Sequence, residues 1–209
     1  MGDLSAILIE NINPLVNLVR IPKKSTALLE DFEVKRDLIA REACGRNVTN
    51  ISGVPSWMLS VLTRLQELTG QTDISAVWPG LEVFFHGGVA FTPYRDRYKE
   101  IISSPHMHYM ETYNASEGFF GVQNDLADPA MLLLTNLGVF YEFIPLEEVG
   151  KDNPNAVPIW QVETDRNYAM VISTTSGLWR YQIGDTVKFT HLNPYKSVSY
   201  THLTLPTKR

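Results

Sequence analysis

Two polar clusters in the chain carry the residue types that nucleotide chemistry needs. The first, Tyr113-Asn114-Ala115-Ser116-Glu117-Gly118, places an aromatic ring, a small hydroxyl, a carboxylate and a glycine within six residues. The ring can stack on a purine, the hydroxyl can donate to a phosphate oxygen, and the carboxylate can hold a hard cation. The second, Arg180-Tyr181-Gln182-Ile183-Gly184-Asp185, presents a carboxylate just after a glycine turn, with both oxygens free to accept, which suits the two hydroxyls of a ribose. Either cluster alone reads equally well as an Asx- or glycine-turn between strands. In this order, about 70 residues apart, the pair is far more specific than either member.

Other chemistries lack their signatures. The sequence has no G-x-S-x-G elbow, no G-x-G-x-x-G fingerprint and no G-x-x-x-x-G-K-[ST] loop. One cysteine and five histidines never adopt zinc-ligand spacing. His106 and His108 would share a face of a strand, a weak basis for a metal site.

Two further stretches could border a site. Val48 to Ser52 leads into Gly53-Val54-Pro55-Ser56-Trp57, a strand–glycine–helix junction with Pro55 in the first helical turn. Such a junction suits an anion or polar ligand at the helix start, and equally a plain tight turn. Trp57 is either pocket wall or core. Leu81 to Val89 reads as a buried strand ending in Gly87-Gly88, where another group can approach the backbone closely. His86, just before the glycines, reads first as a buried structural histidine and second as a catalytic one.

The elements around these stretches follow from periodicity. Helical spacing over residues 3–19 is interrupted at Pro14, and a second amphipathic helix carries Leu28, Leu29, Phe32, Leu38 and Ile39 to an end near Gly45. Met58, Val61, Leu62, Leu65 and Leu68 mark the buried stripe of a helix closed by Gly70. Thr92 and Pro93 open a third helix. Met131–Thr135 and Val139–Ile144 flank Asn136-Leu137-Gly138 as an antiparallel hairpin. Val157–Glu163, Tyr168–Thr175, Leu178–Gln182 and Thr186–His191 follow as short strands separated by turns. The expected fold class is α/β: a large domain whose mixed sheet is flanked by helices and followed by antiparallel strands, as a small barrel or an added sheet. Residues 1–145 form its α/β part and 146–196 its β-rich part. Residues 197–209 fit poorly as a continuation and are set apart as a non-native tail.

Composition bounds the remainder. The 209 residues are 44% hydrophobic and 20% charged, enough for a real core. A formal net charge of −5, with scattered Lys and Arg, excludes an electrostatic footprint for nucleic acid or an anionic membrane surface. No apolar run approaches the roughly 18 residues that span a bilayer, and no signal peptide is visible. Cys44 stands alone, which reads as a small buried hydrophobe in a reducing compartment. The expectation is a cytoplasmic protein; the oligomeric state is left open.

The paired clusters resemble the second and third nucleotide motifs of the adenylate-forming superfamily. Within it, Tyr113 to Gly118, Ser52 to Trp57, Trp78-Pro79, Phe85-His86-Gly87-Gly88 and Gly177 to Asp185 resemble the auxin-responsive acyl acid-amido synthetases, the Gretchen Hagen three family, in a bacterial flavour. The likeness runs from about residue 2 to 196.

That resemblance implies an ATP- and Mg²⁺-dependent ligase that adenylates a carboxylic acid and joins it to an amine or amino acid as an amide. It implies that Gly87 and Gly88 lie against adenine, Tyr113 stacks on it beside Ala115, Ser116 bonds the α-phosphate, Glu117 holds Mg²⁺, and Asp185 binds the ribose. Ser116 and Glu117 are its catalytic candidates, and Val54, Pro55, Trp57 and Phe85 its acyl pocket. Tyr181-Gln182 stands where the superfamily has Tyr-Arg, and Arg180 is offset by two positions. The family's first phosphate loop and its C-terminal lid have no counterpart here, so the chain reads as a central fragment, inactive alone. The alternatives are an acyl-CoA ligase, disfavoured by the spelling of the motifs, and a non-catalytic nucleotide-binding α/β module.

Overall fold

A computed structural model of the chain describes residues 4–200. It forms two compact units that divide between Met110 and Glu111. The sequence reading instead put the change of character at 145/146.

The first unit is mostly helical. Helix α1 (Leu4–Asn11) ends before Pro14, which has no N–H to extend it, and a 3₁₀ turn covers Val16–Leu18. Of the expected second helix only the later part forms, as α3 (Phe32–Ala43); a short α2 (Lys24–Ala27) precedes it, and Leu28 and Leu29 lie between the two. Asp31 causes the restart: its carboxylate accepts from the Val34 N–H at 2.9 Å and caps α3. Strand β1 (Asn50–Gly53) leads into α4 (Pro55–Thr69), which begins with proline and ends where the Gly70 N–H bonds to the Gln66 carbonyl at 2.8 Å. Then come α5 (Ile74–Val77), β2 (Val83–His86) and α6 (Arg95–Ile101). Strand β2 is shorter than its apolar run.

Strands β1 and β2 pair in parallel, from Asn50 opposite Val83 to Gly53 opposite His86. Leu62, Leu65, Ile74, Leu81, Phe84 and Tyr98 are fully buried around them. Two polar contacts tie helices to this core: Trp78 Nε1 donates to the Ala43 carbonyl at 3.1 Å, and the Tyr98 hydroxyl to the Pro55 carbonyl at 2.8 Å. Cys44 is exposed, contrary to expectation. Helix α3 stops at Ala43, and Cys44 is extended, so it leaves the buried stripe of Ala40 and Ala43.

The second unit is a sheet of antiparallel pairs. Its strands are β3 (His108–Ala115), β4 (Gly118–Gln123), β5 (Met131–Leu133), β6 (Val139–Pro145), β7 (Val157–Pro158), β8 (Asn167–Thr174), β9 (Tyr181–Leu192) and β10 (Tyr195–Tyr200). Their order is β3-β4-β5-β10-β9-β8-β6-β7. The expected β5/β6 hairpin does not form: β5 pairs with β4 and β10, and β6 with β7 and β8. The run after Val157 becomes a two-residue strand and a 3₁₀ turn over Ile159–Gln161. Ser197 to Tyr200 lie in β10, paired with β9, so this part of the supposed tail belongs to the sheet. Residues 201–209 of that tail lie outside the described residues.

The sheet curls on itself. Strands β3 and β9 are four intervals apart in the order, about 19 Å if the sheet were flat, yet side chains from the two hydrogen-bond directly. The concave interior holds Tyr113, Phe120, Tyr141, Phe143, Tyr168 and Phe189. Among the described residues no strand pairing closes this curled sheet into a barrel.

Candidate active site

The polar stretch around Ser116 is a β-hairpin tip rather than an open loop. Ala115 pairs with Gly118, leaving Ser116 and Glu117 as a two-residue turn between β3 and β4. Ser116 is exposed and Glu117 half-buried. A register shift between Tyr113 and Asn114 twists the hairpin just before its tip.

Tyr113 points inward. It is 7% exposed, and its ring lies 5.3 Å from that of Phe120. Its hydroxyl donates to Asp185 Oδ2 at 2.9 Å. Burial, then the adjacent Asp185 charge and its hydrogen bond, push the phenol far above its ordinary range, so it remains a donor.

Asp185 occupies an irregularity in β9. Ala169 pairs with Thr186 and Val171 with Gln182, so Met170 alone faces Ile183, Gly184 and Asp185. Gly184 takes φ +94°, a backbone that residues with a Cβ rarely adopt. The two strands expected on either side of this glycine are therefore one long strand carrying a bulge. Bulges of this kind re-aim a side chain beside a site. Tyr113 and Asp185, 72 residues apart, thus meet within the second unit.

Arg180 is held elsewhere. At φ +47° it sits in the left-handed region, where its N–H donates to Ser173 Oγ at 3.0 Å and its Nε to Glu142 Oε2 at 2.9 Å. Glu142 was not singled out in the sequence, because its spacing from Arg180 carries no local signal.

In the first unit, Gly87 is buried and Gly88 exposed immediately after β2. Gly88 takes φ +81°, and a Cβ there would meet Val54 Cγ2 at 3.3 Å. The glycine pair thus lies beside the start of α4. Pro55 is buried, Val54 and Phe85 are half-buried, and Trp57 is 62% exposed with its ring 6.1 Å from that of Phe32. Phe32, expected on the apolar face of the second, amphipathic helix, is exposed at the first turn of α3. His86 is buried and stacked on Phe91 at 4.1 Å. Burial, with a smaller contribution from Arg95, lowers its pKa to about 4, so it is neutral at ordinary pH. This environment suits the structural reading of His86.

Among the described residues, no group of three or more His, Cys, Asp or Glu could hold a metal. A lone half-buried carboxylate such as Glu117 nevertheless fits Mg²⁺, which is commonly bound by one or two carboxylates together with substrate phosphates and waters. No helix among the described residues is long and apolar enough to cross a membrane.

Comparison with known proteins finds matches in family and in fold. The model for the GH3 family N-terminal domain matches residues 1–107, and that for the GH3 family central domain matches residues 132–198. The chain is 31% identical over 128 residues to the indole-3-acetic acid-amido synthetase GH3.8 of Oryza sativa subsp. indica, a match covering 56% of this chain and 20% of that protein. Its fold is similar to that of the GH3.15 acyl acid amido synthetase, with a TM-score of 0.69 at 16% identity over 93% of this chain and 43% of the other. It is also similar in fold to an open conformation of 2-hydroxyisobutyryl-CoA ligase in complex with 2-HIB-AMP and CoA (TM-score 0.57, 13% identity, 78% of this chain and 37% of that one). The matched stretch is about a fifth of the curated relative and less than half of either solved chain.

Proposed function

The chain belongs to the GH3 family, and from that premise we propose that it forms the nucleotide- and acyl-binding part of an ATP-dependent acid–amino acid ligase. The observation that carries this reading is the hairpin tip with Ser116 and Glu117, tied through Tyr113 to Asp185 in the same unit. The tip offers a hydroxyl and a carboxylate; the β9 bulge offers a second, half-buried carboxylate, one oxygen of which accepts from Tyr113 where the sequence suggested that both are free.

In the proposed reaction, an oxygen of a carboxylic acid attacks the α-phosphorus of ATP. The bond to the β-phosphate oxygen breaks, pyrophosphate leaves, and an acyl-adenylate remains. The nitrogen of an amine or amino acid then attacks the acyl carbon, AMP leaves with the bonding pair, and the nitrogen loses a proton to give the amide. Ser116 donates to the α-phosphate and Asp185 accepts from the ribose. The family resemblance assigns Gly87 and Gly88 to the adenine, and likewise Ala115 and the ring of Tyr113. Glu117 would hold Mg²⁺, which supplies neutralisation of charge spreading over phosphate oxygens. Val54, Pro55, Phe85 and Trp57 form the acyl pocket, whose aromatic lining suits an apolar or aryl acid. Positioning of the carboxylate in line supplies much of the acceleration.

Family membership favours amide formation over thioester formation with CoA. We place the protein in the cytoplasm, acting on small molecules rather than nucleic acid or membrane. Hydroxylamine trapping by the full-length protein, with a panel of acids and ATP·Mg²⁺, tests the reading. An acid-dependent hydroxamate is expected, and its absence with every acid alongside unchanged ATP would favour a non-catalytic binding module.

A further inference from the structure

We propose that Tyr113 is a positioning residue whose hydroxyl aims the Asp185 carboxylate, and that this bond gives the site its discrimination for an intact ribose diol. The inference rests on the nucleotide reading above and adds a role for the phenol that ring stacking alone does not include.

The geometry argues for it in three steps. Asp185 lies in a bulge where one residue of β8 faces three of β9, so the pleat of the strand does not fix its side chain. Gly184, beside it, adds a backbone position with wide conformational freedom. A carboxylate there needs a second tether to point one way, and the Tyr113 hydroxyl at 2.9 Å from Oδ2 is that tether. Tyr113 is itself immobilised, buried against Phe120 on the hairpin that ends in Ser116 and Glu117. One oxygen of Asp185 is thereby engaged, which holds the carboxylate in one orientation from which to meet a ribose diol. The same bond fixes the bulge relative to the hairpin, and so the ribose end of a nucleotide relative to its phosphate end. A purely stacking tyrosine would place none of these demands on its hydroxyl.

The test compares ATP with 2′,3′-dideoxy-ATP, each with Mg²⁺, by calorimetric or NMR titration of the full chain and of Tyr113→Phe. The parent is expected to bind ATP about tenfold more tightly than the dideoxy analogue, a ratio worth about 1.4 kcal/mol. Tyr113→Phe keeps the ring against Phe120 but is expected to lower that ratio below about threefold, with ATP affinity falling toward that of the analogue. An unchanged ratio in the variant overturns the positioning role while leaving the nucleotide reading intact. Absence of ATP binding by the parent overturns both. Should Tyr113→Phe fail to fold, exchange of the Tyr113 phenol proton reads the bond in the parent and in Asp185→Ala. Slow exchange that becomes fast in the variant supports the bond, and equal rates overturn it.

Discussion

Lys196 Nζ lies 2.8 Å from Asp128 Oδ2 and joins strand β10 to the loop that follows β4. Lys196 is 8% exposed, so its ammonium has little water to replace a lost partner. Removing Asp128 alone leaves that charge buried and unpaired, which is costlier than removing both groups. Asp128→Ala is therefore expected to lower the unfolding midpoint by several degrees, and the double variant with Lys196→Met to recover part of the loss. Thermal unfolding followed by circular dichroism measures both; a double variant no more stable than Asp128→Ala would contradict the argument.

His86 makes stability depend on pH in a defined window. Its folded pKa of about 4 lies below the ordinary 6.5, so between these values the unfolded chain binds a proton that the folded chain refuses. Its contribution is fully present above about pH 6.5 and is lost progressively as pH falls toward 4. His86→Phe preserves a ring against Phe91 and is expected to flatten the stability profile in that window. Urea midpoints at pH 7, 6, 5 and 4 provide the check.

Asp128 acts in a lower window. The hydrogen bond from Lys196 is the largest cause that holds its carboxyl below the ordinary value of 3.8, followed by the Ala130 N–H. A carboxyl depressed on folding stabilises above its unfolded pKa, and that support disappears as pH falls through the folded value. Asp128→Asn is expected to reduce the loss of stability below about pH 4. Its unfolding midpoints should match the parent's slope between pH 6.5 and 5, where His86 dominates.

Gly88 combines φ +81° with a close neighbour in Val54. Gly88→Ala is expected to cost about 1 kcal/mol of stability and to weaken ATP binding by roughly tenfold, since the adenine edge would lose its open backbone. Gly45, with a similar φ of +73° and nothing within 4 Å of a Cβ, provides the control. Gly45→Ala should carry the conformational cost without the loss of ATP affinity.

Glu117 supplies the carboxylate of the hairpin tip. Glu117→Gln keeps its size and removes its charge, so Mg²⁺ should strengthen ATP binding by the parent much more than by the variant. Titrations with and without Mg²⁺ measure the difference. Equal enhancement in both would remove Glu117 from the metal-binding role.

Much of the fold was legible in local sequence. Pro55 and Gly70 bracket α4, and the glycine pair closes β2, because caps and breakers act within a few residues. Pairing partners were not legible. Asn136-Leu137-Gly138 signals a turn, but a turn does not say that the strands on either side will each find other partners. Gly184-Asp185 has the composition of a turn, and only the register on its two flanks makes it a bulge. Phe32 and Cys44 were misread for a shared reason: each sits at an end of α3, where helical periodicity no longer reports which way a side chain faces. The candidate residues on the hairpin and β9 were legible by type. The bond between Tyr113 and Asp185 was not, because it depends on the curl of a whole sheet.

The two-residue turn at Ser116 and Glu117 carries a constraint of length. Tyr113 pairs with Gly121 but Asn114 with Phe119, so Phe120 is an extra residue that the hairpin takes up just before its tip. Both rings now lie in the interior. A change of turn length that shifted this pairing by one would carry one of the two rings to the outer face of the sheet, whereas one taken up as a longer loop would leave both inside. Substitution of Ser116 or Glu117 leaves the pairing in place, so its cost falls on the proposed chemistry, while a slip of the pairing would be felt by the core.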